Sequence, residues 1–144
     1  MAESELRRWT KRVPGVAFAE AARGGTVGKP DCEVPLPDGR RVPVELKEWR
    51  WLPRKGCWRT HLRPAQVRWA CRETLAGRLS LVLWQRRGRP GERWLAAAGW
   101  VPWTSQGYLE PSRALPVACD PADFPQEIAW AFPPGIVPNL HGGE

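Results

Sequence analysis

Leu36-Pro37-Asp38-Gly39-Arg40 constrains the fold of this chain more than any other stretch. It suits a three-residue hairpin loop, with Pro37 and Asp38 in a type I turn and Gly39 in the left-handed region at a G1 bulge. The flanking segments, 31–36 and 41–47, are then predicted to be antiparallel strands. If Leu36 pairs with Arg40, counting back along both arms sets Asp31 directly opposite Glu45. Directly opposed residues share a face, with Cβ atoms about 5 Å apart, close enough for two carboxylates to reach one hard cation. Lys47 lies two residues beyond Glu45 and joins that face, while Leu46 points to the other. The competing reading is a surface hairpin carrying a cross-strand salt bridge.

Around this hairpin the pattern predicts a helix over 3–12, with Leu6, Trp9 and Val13 on one stripe and Glu3 and Glu5 to either side of it. A strand is predicted over Val16–Ala19, then a glycine-rich loop carrying Gly24, Gly25 and Gly28, with Glu20 at its start as a weaker candidate ligand. The best helix is Arg63–Ala76. Pro64 stands at its first position and Gly77 just past its end, and Val67, Ala70, Cys71, Thr74 and Leu75 follow helical spacing. Leu79–Trp84 is a continuous apolar run, the pattern of a buried strand, and Arg93–Ala98 reads as another after a turn. The order α-β-β-β-α-β-β predicts an α/β fold: a mixed β-sheet flanked by helices, in a core over 1–99. Residues 100–144 form a Pro/Trp-rich C-terminal extension with one short helix predicted near Pro125–Ala131. Trp100, Trp103 and Trp130 imply that the extension packs on the core or on a partner subunit, with a flexible tail over 135–144 as the alternative.

Charge narrows the partners. Residues 1–100 hold 21 Lys/Arg against 10 Asp/Glu, a net of +11, whereas residues 101–144 hold only Arg113 against five acids, a net of −4. An excess of that size on a small domain is the footprint of a polyanion binder; solubility alone is the plainer account. No apolar run of 18 residues is present and the first twelve residues are charged, so neither a membrane span nor a secretory signal is expected. Cys32, Cys57, Cys71 and Cys119 show no C-x-x-C spacing and no histidine partners at zinc spacing, which predicts reduced thiols in a cytoplasmic setting.

The segment 49–61 interleaves Trp49, Trp51 and Trp58 with Arg50, Arg54, Lys55 and Arg59, and continues to Arg63. Its Pro53 and Gly56 make it a loop in this reading. Arginine and lysine reach phosphates, and exposed tryptophans stack on unpaired bases; the same rings serve equally well in a core or a dimer interface. His61 reads as structural. Gln66, at the third position of its helix, has two readings as well: a cap for the helix start, or a contact to water or phosphate.

Several of these pieces together resemble the PD-(D/E)xK nuclease superfamily, especially its small phage and archaeal Holliday-junction resolvases and the VRR-NUC nucleases. The residues that carry the resemblance are Glu3-Ser4-Glu5-Leu6, Arg23-Gly24-Gly25-Thr26-Val27-Gly28-Lys29-Pro30-Asp31, Val42-Pro43-Val44-Glu45-Leu46-Lys47 and Leu62-Arg63-Pro64-Ala65-Gln66. It spans roughly residues 3–97 and leaves the last third uncovered. The resemblance implies a restriction-endonuclease-like fold and a Mg²⁺-dependent endodeoxyribonuclease, with Mn²⁺ able to substitute. Its substrate would be branched DNA such as a four-way junction, with flaps, nicks or linear DNA as the alternative and a non-catalytic DNA-binding protein as a further one. It also implies catalytic roles for Asp31, Glu45, Lys47 and Gln66, with metal held by Asp31, Glu45 and one of Glu3 and Glu5. DNA contacts would fall to Arg23, Lys29, Arg50, Trp51, Arg54, Lys55, Trp58, Arg59 and Arg63, and junction cutting would call for a homodimer.

Overall fold

The computed structural model describes residues 4–19, 30–60, 63–89, 91–100, 103–104, 107–109 and 113–135. Helix α1 (Glu5–Lys11) starts where the Ser4 hydroxyl accepts the Arg7 N–H at 3.1 Å, and it buries Leu6, Trp9 and Thr10. The stripe expected from spacing is the one that packs, with Val13 just beyond it also buried.

Strands β1 (Ala17–Phe18), β2 (Cys32–Pro35) and β3 (Arg41–Leu52) are successive antiparallel neighbours. The 36–40 turn is closed as its residues predict: Leu36 N–H donates to the Arg40 carbonyl at 2.8 Å, and Gly39 takes φ +94°. The ladder pairs Cys32 with Val44 and Val34 with Val42, so one further step stands Asp31 across from Glu45.

Beyond Trp49 the structure corrects the reading of 49–61 as a loop. β3 runs on to Leu52, and β4 (Cys57–Thr60) folds back against it, pairing Arg50 with Arg59, Trp51 with Trp58 and Leu52 with Cys57. Pro53 and Gly56 are confined to the turn, where Gly56 takes φ +62° and donates its N–H to the Leu52 carbonyl at 2.8 Å. Trp49, Trp51, Trp58, Arg50 and Arg59 are in strands, which aromatic side chains favour, while Arg54 and Lys55 stay in the turn.

Helix α2 (Pro64–Leu75) then crosses to β5 (Leu81–Arg86), which lies parallel to β3 over Val44–Trp49. β6 (Arg93–Ala97) pairs antiparallel with β5. A 3₁₀ turn over Ala98–Trp100 leads to β7 (Trp103–Thr104) and β8 (Gly107–Leu109), and β8 adds to β4. β9 (Leu115–Val117) closes the other edge beside β6, and α3 (Phe124–Ala131) follows. The result is a mixed sheet flanked by helices, with seven strands in the order β7-β8-β4-β3-β5-β6-β9 and β2 and β1 branching from the first half of β3.

Alternation along the strands makes two faces. Toward α1 and α3 point Val34, Val42, Val44, Leu81, Leu83, Leu95 and Ala97, which join Leu6, Trp9, Phe124, Ile128 and Phe132 in one buried cluster. Each fully buried side chain of this kind contributes about 1.5–3 kcal/mol. Toward α2 lies a second cluster of Trp49, Val82, Trp84 and Ala96, with Val67 of α2 packed on it. The last third of the chain therefore supplies core, through Phe124, Ile128 and Phe132. Two apolar side chains are exposed in the single chain, Leu75 at 76% on the last turn of α2 and Trp130 at 72% on α3, so of the expected packing Trp130 keeps only that on a partner subunit. Trp100 does pack, its ring 5.5 Å from that of Phe132. No helix among the described residues is long and apolar enough to cross a membrane, and all four cysteines are free.

Candidate active site

Asp31, Glu45, Lys47 and Gln66 meet where the 31–47 hairpin passes under the first turn of α2. The Leu46 N–H donates to Asp31 Oδ2 at 2.8 Å, which ties the Asp31 carboxylate across the end of the β2–β3 ladder. Glu45 is buried at 8% exposure. Its Oε2 accepts from Gln66 Nε2 at 2.6 Å and lies 3.5 Å from Lys47 Nζ. Gln66 is held in turn, because its Oε1 accepts the Arg63 N–H at 2.8 Å. The cap and the site contact are thus made by the two ends of one amide.

Burial and the neighbouring Asp31 carboxylate push the Glu45 carboxyl up to about 8, against a smaller opposing pull from Lys47. Two carboxyl groups pressed together in a partly dry place resist ionising together, and a divalent cation between them would displace the proton that Glu45 otherwise keeps. Their hard oxygens suit Mg²⁺, which is commonly held by one or two carboxylates with water and phosphate oxygens completing the shell. The donor set fits such an ion. Cys32, next along β2, is no rival ligand: burial first, then Asp31, raise its thiol to about 12, and its Sγ donates to the Val44 carbonyl at 3.6 Å.

Glu5 does not join this group. Its Oε1 accepts from Arg93 at 2.7 Å, and α1 packs on the sheet face opposite Glu45 and Lys47. Among the described residues no group of three or more His, Cys, Asp or Glu side chains converges in metal-binding geometry. Glu3, Glu20, Arg23, the glycines at 24, 25 and 28, Lys29 and His61 lie outside the described residues.

Of the expected DNA contacts, Arg50, Arg54, Lys55 and Arg63 are exposed and Arg59 is half-buried on the β3–β4 hairpin and its exit. The three tryptophans part company. Trp49 is fully buried against Trp84, rings 5.5 Å apart, so it belongs to the core; Trp51 is 48% exposed and touches the half-buried Trp58, rings 5.5 Å apart. Two further arginines join them, Arg86 at the end of β5 and Arg89 in the turn after it. Their guanidinium carbons stand 5.2 and 5.7 Å from the centre of the Trp58 ring, and Arg86 is also 5.6 Å from that of Trp94. The available signal was period two: Val82, Trp84 and Arg86 share the face of Glu45 and Lys47.

A groove of about 640 Å³ opens beside the site at Pro30, between Phe18 and Trp69, with Arg40, Arg41 and Arg78 on its walls. Behind Glu45 a cavity of about 30 Å³, lined by Gln66, Ala70 and Ser80, has room for about one water. Compared with known families and curated proteins, the chain matches no family model and no curated protein.

Proposed function

We propose that this chain is a Mg²⁺-dependent endodeoxyribonuclease of restriction-endonuclease-like fold, hydrolysing phosphodiesters in branched DNA in the manner of a Holliday-junction resolvase. The observation that carries the reading is the convergence of Asp31, Glu45, Lys47 and Gln66 on one sheet face, in the register set by the 36–40 turn. The element order supports it: antiparallel β1 to β3, the β3–β4 hairpin, the crossover helix α2 and then β5 parallel to β3 make a mixed sheet flanked by helices, of the kind the superfamily resemblance implies. The basic β3–β4 hairpin supplies the charge that a polyanion needs.

In this reading Asp31 and Glu45 hold Mg²⁺ or Mn²⁺. Bound there, the ion supplies positive charge to the scissile phosphate and a water of lowered pKa. Lys47 brings its ammonium to the same point, orients the attacking water and offsets the charge growing on the phosphate oxygens. Gln66 keeps Glu45 aimed into the site, with its amide oxygen held by the Arg63 N–H. Because a four-way junction must be cut on two strands, the active species is a homodimer, to be measured by light scattering.

The test is a gel comparing four-way, flapped and linear DNA with and without Mg²⁺. Wild type should cut branched DNA only with the metal, while Asp31→Asn and Glu45→Gln stay folded, bind DNA at least as tightly and do not cut. Either variant cutting within tenfold of wild type would sink the assignment. Tight binding by a wild-type protein that cuts nothing with Mg²⁺ or Mn²⁺ would make this a non-catalytic DNA-binding protein instead.

A further inference from the structure

We infer that Trp51 and Trp58, flanked by Arg86 and Arg89, form a stacking platform for unpaired bases, placed on β3 a fixed distance from Lys47. The cut site in this inference rests on the nuclease reading; the platform does not. Lys47, Trp49 and Trp51 follow one another on the same face of one strand. Trp49 is covered by Trp84, but the pairing of β3 with β5 ends at Trp49, so the next ring on that face, Trp51, is left 48% exposed. Trp58 stands directly across from it on β4, the two rings inclined by 60°.

Charge decides the occupant. The Arg86 and Arg89 guanidiniums both lie within 6 Å of the Trp58 ring, at 5.2 and 5.7 Å. Residues 49–60 carry Arg50, Arg54, Lys55 and Arg59 and no acidic side chain. A protein partner of ordinary apolar kind would find here one half-exposed ring, Trp51, beside a second, Trp58, already faced by two guanidiniums. A nucleic-acid strand offers flat faces for the rings and phosphates for the arginines, and its faces are free only where the bases are unpaired. From Lys47 to Trp51 is four residues of strand, about 13 Å, which matches about four base steps at the duplex rise. Among branched DNAs this geometry selects those with bases unpaired at the branch, cut within about four nucleotides of the boundary.

The experiment measures anisotropy of a labelled fifteen-nucleotide oligo-dT and of a blunt duplex of equal length, in EDTA so that nothing is cut. Trp51→Ala should weaken oligo-dT binding about tenfold and duplex binding less than twofold. Trp51→Phe should restore most of the loss, and the exposed Arg89→Ala should lower oligo-dT binding in a chain of unchanged circular dichroism. Equal losses on both ligands, or no loss from Trp51→Ala, overturn the platform. With Mg²⁺, a splayed-arm duplex should be cut within about four nucleotides of the branch by wild type and at scattered positions by Trp51→Ala. Trp51-dependent single-strand binding without any cutting leaves the platform standing and removes the nuclease; cutting at one position regardless of Trp51 does the reverse.

Discussion

Along β3, Val42, Val44 and Leu46 turn toward α1 and α3, while Glu45, Lys47 and Trp49 turn toward α2. The same backbone therefore serves two faces with opposite demands. The first is dry and apolar, closed by helices drawn from both ends of the chain. The second trades packing for chemistry: a buried carboxyl pushed up to about 8, a lysine, an amide with both ends engaged and a row of tryptophans passing from buried to exposed. The larger core lies on one side of the pleat and the proposed catalytic groups on the other, beside a smaller core, so single substitutions can separate packing from the proposed chemistry.

The sharpest separation comes from Leu83, fully buried on the first face. Leu83→Ala should lower unfolding free energy by about 2–5 kcal/mol in denaturant titrations while leaving cleavage unchanged at a temperature where the chain is folded. A loss of cleavage in that folded variant would show that the faces are coupled.

Glu45 should show the reverse sign. Its carboxyl is near 8 in the folded chain and near 4.5 when exposed, so in metal-free buffer the folded state holds the extra proton between those values. Stability from this group is fully present below about 4.5 and is lost as pH rises toward 8, by on the order of a few kcal/mol. Glu45→Gln should therefore melt higher than wild type at pH 8 and much as wild type at pH 4.5, and Mg²⁺ should narrow the gap at pH 8. A Glu45→Gln variant less stable than wild type at pH 8 contradicts the burial argument.

Lys47→Ala should slow cleavage by at least about 10²-fold, the scale of losing one charge contact to the transition state, while calorimetry still detects Mg²⁺ or Mn²⁺ binding. A smaller effect is expected of the hairpin cations. Replacing Arg50, Arg54, Lys55 and Arg59 together by Ala should remove up to about three or four units from the slope of log affinity against log salt. An unchanged slope would place the DNA elsewhere.

What could be read from the residues was whatever local chemistry decides. The 36–40 turn needs only its own five residues, and it alone set the register that brings Asp31 to Glu45. The stripe of α1 and the buried run of β5 were legible for the same reason. The β3–β4 hairpin was hidden because Pro53 and Gly56 look like breakers of the whole segment, although they break only its turn. Trp49 and Trp51 were indistinguishable by spacing, since both lie on one face; their difference is where β5 stops. Glu5 could not be told from Glu3 by a helical stripe that both flank, and only the distant Arg93 shows where its carboxylate goes. Phe124, Ile128 and Phe132 were obscured by the prolines around them, though they complete the core.

One seam in β3 has a consequence for how such a chain can change. Pairing with β5 ends at Trp49 and pairing with β4 begins at Arg50, so the proposed cut site and the proposed platform occupy one unbroken strand with no hinge between them. A single residue inserted at that seam would exchange the faces of everything beyond it, presenting Arg50 where Trp51 now lies. Two inserted residues would keep the faces and lengthen the span by about 7 Å. The reach of the molecule is therefore adjustable only in even steps.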